Sequence, residues 1–155
     1  LNIAGTHIVA ASPQAVWQAL NDPEVLARCA PGVHELVLEE PGRYRTTLEV
    51  AIGPVKGKFK ASITIAEPHE PVSMTLKVEA RAPVGIVRGE GKIRLEPVDH
   101  EGQPATAVHW EGVPHLAGTL ATLGARLVQG VARNQADHFF HHLQQEVQQQ
   151  PSQGG

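Results

Sequence analysis

The chain has 155 residues, 41% hydrophobic and 19% charged, with a net formal charge of −3, which supports a packed domain and excludes a disordered chain. The slight negative charge gives no overall pull toward nucleic acid or anionic lipid. One cysteine excludes an internal disulfide framework, and no leader or bilayer-length apolar run is read, so a cytoplasmic protein is the expectation.

Residues 2–11, NIAGTHIVAA, predict a strand. Ser12-Pro13 then sets an N-cap before a proline at the first helical position, and QAVWQAL follows. Asp22-Pro23-Glu24 repeats that signal before EVLARCA, and Pro31-Gly32 stops this second short helix. From Val33 to Val113 the period becomes two. Tyr44, Thr46, Leu48, Val50 and Ile52 oppose Arg45, Thr47 and Glu49. Val55, Gly57, Phe59, Ala61, Ile63 and Ile65 oppose three lysines, Lys56, Lys58 and Lys60. The same alternation runs through Val72–Ala80 and Val87–Glu96, and a last strand, Thr106 to Val113, turns Val108 and Trp110 inward. The result is an antiparallel meander with one wet face and one apolar face.

A helix from about His115 to Gln150 is predicted to cover the apolar face, reaching ~45 Å at ~1.5 Å per residue. Leu116, Leu120, Leu123, Leu127 and Val131 form one apolar stripe, and Val128, Ala132, Phe139, Leu143 and Val147 a second. Beyond it QQEVQQQPSQGG reads as a polar tail.

Four stretches, AVWQALNDPEVLARCAPG, IGPVKGKFKASI, RGEGKIRLEP and LATLGARLVQGVARNQADHFFHHL, are similar in content and order to the carbon monoxide dehydrogenase G-subunit family of the START/polyketide-cyclase-like superfamily. The resemblance implies an α+β helix-grip fold: a curved seven-stranded antiparallel sheet wrapped around a long C-terminal helix, with two short helices between strands 1 and 2. One domain is expected over residues 1–148, followed by a disordered tail at 149–155. The implied function is a non-catalytic accessory protein that holds a quinone- or lipid-like molecule and associates with a carbon monoxide dehydrogenase-type molybdenum hydroxylase. No cofactor of its own is expected. Family members often carry a C-terminal anchor that Pro151–Gly155 does not resemble, so membrane contact is expected to be at most peripheral, through partners. Two alternatives stay open: a polyketide-cyclase or hydrolase-like enzyme using the same cavity, and an interaction module with a filled core.

The inward positions carry almost no ionisable groups, which suits holding an apolar molecule better than acid–base work. Phe59, Met74, Val87, Trp110, Leu120, Leu123, Gly124 and Leu127 are expected to line the cavity. Gly124, read as a mid-helix glycine on the inward stripe, is expected either to leave ligand space, the favoured reading, or to permit tight backbone contact with the sheet. His7 shares the inward face if Ile3, Gly5 and Val9 do, and either bonds a ligand carbonyl or sits at a wet strand end. His138 and His142 have a metal-compatible spacing of four but no third ligand or HExxH pattern, so no metal is expected. Gly89-Glu90-Gly91 opens no helix and is no phosphate loop; approach of the helix or room for a ligand explains it better. Cys29, at the end of a short helix, is expected to be buried and inert.

Overall fold

The computed structural model describes residues 2–148. The elements are β1 (Ile3–Val9), α1 (Pro13–Leu20), α2 (Pro23–Cys29), β2 (Val33–Glu40), β3 (Arg43–Ile52), β4 (Val55–His69), β5 (Ser73–Ala82), β6 (Gly85–His100), β7 (Gln103–Gly118) and α3 (Ala125–Gln148). The tail expected at 149–155 lies outside the described residues.

The capping signals act as written. The Ser12 hydroxyl accepts from the Ala15 N–H at 3.2 Å and the Asp22 carboxylate from the Glu24 N–H at 2.9 Å, each cap worth roughly 1 kcal/mol. Pro13 and Pro23 occupy first-turn positions, where a missing N–H costs nothing.

All seven strands form one antiparallel sheet in the order β1-β7-β6-β5-β4-β3-β2. From β2 to β7 each strand pairs with the next, so only β1 with β7 is a distant pairing. The helices α1 and α2 carry the chain from one edge of the sheet to the other. The sheet is curved, and with the long C-terminal helix it makes a helix-grip fold.

Register puts most of the odd-even alternation on its expected face; the exceptions flank the start of β5, where Val72, expected inward, precedes the strand and is exposed, and Thr75, expected outward, is buried. β1 turns Ile3, Gly5, His7 and Val9 inward and leaves Ala4, Thr6 and Ile8 exposed. On the outer face β3 presents Arg43, Arg45 and Glu49, and β4 presents Lys56, Lys58 and Lys60. Next to them β5 presents Lys77, Glu79 and Arg81, and β6 presents Arg88, Glu90, Lys92, Arg94 and Glu96.

Two apolar clusters form under the sheet. One gathers Val9, Val16, Trp17, Leu20, Val25, Cys29 and Met74 with Phe140 and Leu143 of α3. The other packs Ile52, Phe59, Ala61, Ala80 and Leu120 with Leu116, Leu123, Leu127 and Val131.

The C-terminal region differs from the sequence reading. β7 continues through Gly118, pairing Leu116 with Val87 and Gly118 with Gly85. A 3₁₀ turn over Thr119–Thr122 follows, and α3 starts only at Ala125, so its 24 residues reach about 36 Å. The proline-free run looked helical because leucines recur at four-residue spacing. Pairing with β6 overrides that pattern. Pro114 is tolerated in β7 because β1 pairs only as far as Gly112, leaving that side of the strand free of ladder bonds. The leucines still converge in one cluster, but from a strand, a turn and a helix rather than along one stripe.

Candidate functional site

A cavity of about 420 Å³ lies between the sheet and α3, walled chiefly by residues of and around the first cluster, with Val87 from the second. Leu20, Leu26 and Leu36 close one side, Ile63, Ile65, Met74 and Leu76 form the sheet wall, and Phe139 and Phe140 of α3 face them. Glu90, Lys92 and Glu111 border it, but register assigns their side chains to the outer face.

The hollow has a local cause. Gly89 and Gly91 of β6 and Gly112 of β7 lie on the inner face, and Gly91 pairs with Gly112. A Cβ at Gly89 or Gly91 would meet β7 backbone first, the closest atoms being the Val113 and Glu111 carbonyl oxygens at 3.3 and 3.0 Å. Neither glycine has an atom of α3 among these nearest neighbours. The glycines therefore leave room rather than admit the helix.

Two polar side chains interrupt the apolar wall. Thr46 is buried and its hydroxyl donates to the His34 carbonyl at 3.0 Å. Tyr44 is 5% exposed, and burial, reinforced by the Asp22 carboxylate, pushes its phenol above the ordinary tyrosine range. It therefore stays protonated and can donate a hydrogen bond into the cavity.

Trp110 is held from behind. Its indole N–H donates to His7 Nδ1 at 3.2 Å, and an indole nitrogen can only donate. Nδ1 is thus the unprotonated nitrogen, and Nε2–H donates to Asp137 Oδ1 on α3 at 2.9 Å. The His7 ring also stacks on Phe140, with centroids 4.5 Å apart. The indole lies across Gly5, where a Cβ would fall 2.6 Å from its ring. Only glycine fits at position 5.

Of the nine residues expected at the ligand, Met74, Val87 and Trp110 border the cavity. Phe59, Leu120, Leu123 and Leu127 pack instead in the second cluster, away from the cavity lining. Gly124 is a correction: it precedes α3 at φ +84° with nothing within 4 Å of an added Cβ. It is a left-handed junction between the 3₁₀ turn and the helix, not a gap in an inward stripe. His7 faces inward as one reading had it, but Trp110 and Asp137 take both nitrogens, so it supports the wall and offers nothing to a ligand carbonyl. Tyr44 and Thr46 were missed, although they were the two polar positions on the inward side of β3.

Cys29 is fully buried, and its thiol is pushed up to about 11, chiefly by burial and then by the Glu146 carboxylate. It is no nucleophile at neutral pH. Arg28 beside it pairs with Glu146 at 2.7 Å, tying α2 to α3. Among the described residues, no group of three or more His, Cys, Asp or Glu side chains is placed to hold a metal ion.

The family model for CoxG, the G-subunit of carbon monoxide dehydrogenase, matches residues 5–148, almost the whole described chain. The chain belongs to the CoxG family. This CoxG-family chain is also similar to solved structures. A conserved protein from Geobacillus kaustophilus is 30% identical with a TM-score of 0.88, over 96% of this chain and 95% of that one. The Zhui aromatase/cyclase from a Streptomyces species is 17% identical with a TM-score of 0.69, over 100% and 98% of the two chains. A START superfamily protein from Mycobacterium smegmatis is 17% identical with a TM-score of 0.71, over 96% and 97%. The last two share the fold. Among curated proteins no match is found. No described helix of this CoxG-family chain is long and apolar enough to cross a membrane.

Proposed function

We propose that the protein is a non-catalytic carrier that holds a neutral, largely apolar molecule, quinone- or lipid-like, and serves a carbon monoxide dehydrogenase-type molybdenum hydroxylase. The observation that carries this reading is the cavity itself: about 420 Å³ walled by aliphatic and aromatic side chains, with Tyr44 as a hydrogen-bond donor on its wall. The nearness of Asp22 to Tyr44, with no inward-pointing cation among the described lining residues, disfavours an anionic head group. The family assignment supports the partner. On this reading the protein works in the cytoplasm, with membrane contact at most peripheral and made through that partner.

The enzyme alternative has one observation in its favour, the pairing of inward His7 with Asp137, whose side chain is itself exposed. Such a pair could act as a base only with a free imidazole lone pair, and Trp110 occupies it. The carrier reading predicts saturable quenching of tryptophan fluorescence by a short-chain quinone, weakened by Tyr44→Phe, and an apolar molecule in solvent extracts of the purified protein. Empty extracts together with no quenching would overturn it. Turnover of any bound molecule that is lost in His7→Ala would favour the enzyme instead.

A further inference from the structure

We propose that the outer face of the sheet is a docking surface for an acidic segment of a partner protein, lying obliquely across the basic side chains of β4, β5 and β6. The inference is independent of what the cavity holds.

The outward positions of β3 to β7 carry ten of the thirteen Lys and Arg residues of the chain, and every one of the ten is exposed. They carry five of the sixteen acidic residues: Glu49, Glu79, Glu90, Glu96 and Glu111. A chain of net charge −3 thus gathers a formal surplus of five positive charges on one face. The remaining acids collect elsewhere, several at the hairpin end marked by Glu39, Glu40, Glu67, Glu70, Asp99 and Glu101. This separation makes the molecule electrically polar, and such a field orients and accelerates an encounter with an acidic partner.

Part of this charge is already neutralised. Glu79 lies 3.6 Å from Arg88 and also bonds Arg81, whose hydrogen bond holds its carboxyl below the usual range. Glu49 lies 3.9 Å from Lys58, and Glu96 is bonded to His109 at 3.0 Å. Among the described residues Lys56, Lys60, Lys77, Lys92 and Arg94 form no ion pair, against Glu90 and Glu111 on the acidic side, so the unpaired charge is predominantly basic and runs obliquely over β4, β5 and β6.

The shape selects the kind of partner. A groove of about 1020 Å³ crosses this face, lined by Ser62 and Thr64, by Lys77, Arg88 and Lys92, and by Glu79, Glu90 and Glu111, so its own formal charges balance and the basic surplus lies beside it, at Lys56, Lys60 and Arg94. A bilayer would span the rims of such a groove without reaching its floor. The only large apolar side chain strongly exposed in the groove is Val113, too little for insertion into lipid. All six aromatic residues lie in the interior or along its walls, so this face has no stacking platform for nucleobases. Alternating cross-strand pairs, Lys77 opposite Glu90 and Lys92 opposite Glu111, ask for a partner with spaced charges, which a polypeptide provides.

Three probes test this: a short polyglutamate peptide, vesicles of phosphatidylglycerol in phosphatidylcholine, and an oligothymidylate, each titrated against the full chain at low and high salt. Polyglutamate is expected to bind best, to weaken with salt, and to shift the amide resonances of outward residues on β4 to β7. Reversing Lys60, Lys77 and Lys92 together to Glu should weaken it at least about tenfold, while Arg126→Glu with Arg133→Glu on α3 should not. The gentler set Lys60→Gln, Lys77→Gln and Lys92→Gln, with an unchanged melting midpoint, covers the case in which triple reversal fails to fold. Equal loss in the α3 control, shifts confined to α3, or tighter binding to vesicles or oligothymidylate would each overturn the proposal.

Discussion

At the end of the sheet where β3 turns into β4, Phe59, Leu120 and Leu127 fill the space beneath the strands. There a Cβ added to Gly53 would fall 2.8 Å from the Leu127 side chain. Along the middle of β6 and β7 the inward positions are Gly89, Gly91 and Gly112, and the space stays open. An added Cβ at Gly112 meets nothing closer than 3.7 Å. Both regions lie under one sheet and one helix, so the fold does not decide which is hollow. Side-chain volume does: where alternating large residues interdigitate the interior closes, and where three glycines meet across two strands it cannot.

The largest test of this contrast is in the filled region. Leu120 has no exposed surface, and Leu120→Ala should lower unfolding free energy by about 2–5 kcal/mol in urea titrations while leaving quinone quenching of the folded protein intact. A ligand defect without a stability loss would mean that the two regions have been assigned the wrong way round.

Next in size is a pH effect at a fully buried position of the other cluster. Burial raises the Cys29 thiol from 9.0 to about 11, so below the lower value folded and unfolded chains are both protonated. Between the two values only the unfolded chain ionises, and stability falls as pH rises, by roughly 2–3 kcal/mol in total. Cys29→Ala should flatten that alkaline slope in urea midpoints measured from about pH 8 to about pH 11. An unchanged slope would show that the thiol is not the group responsible.

In the hollow region, Gly112→Val should reverse the pattern seen at Leu120. Stability should hold or rise by a few tenths of a kcal/mol, since β-branched residues favour strands, while quinone affinity should fall about tenfold. Normal binding in a well-folded variant would move the ligand elsewhere.

The smallest test separates two glycines near the start of α3. Gly124→Ala should cost about 1 kcal/mol through its positive φ, and Gly130→Ala, inside the helix with open space around it, should gain about as much. Thermal midpoints moving in the same direction for both would contradict the junction assigned to Gly124.

Much of this arrangement was legible in the residues themselves. Ser12-Pro13 and Asp22-Pro23 dictate the two helix starts locally, because capping needs only neighbours two or three residues away. Strict alternation, as in Lys56–Lys60 against Val55–Phe59, determined the strands and their faces, since one buried face leaves a single register. The family followed from words spread over the chain. Tertiary structure alone decided the rest. The run from His115 to Leu127 carries a helical spacing of leucines, yet hydrogen bonding to β6 makes its first four residues strand. Local sequence gives no account of partners donated by residues thirty positions away. Cavity lining was likewise beyond it, because inward-facing Phe59 and inward-facing Met74 look alike in one strand pattern. Which of them meets a neighbour and which meets empty space depends on the glycines of β6 and β7, and those are brought opposite only by folding. His7 was in the same position: its direction could be read from β1, but Trp110 and Asp137, which occupy its two nitrogens, come from the far end of the chain.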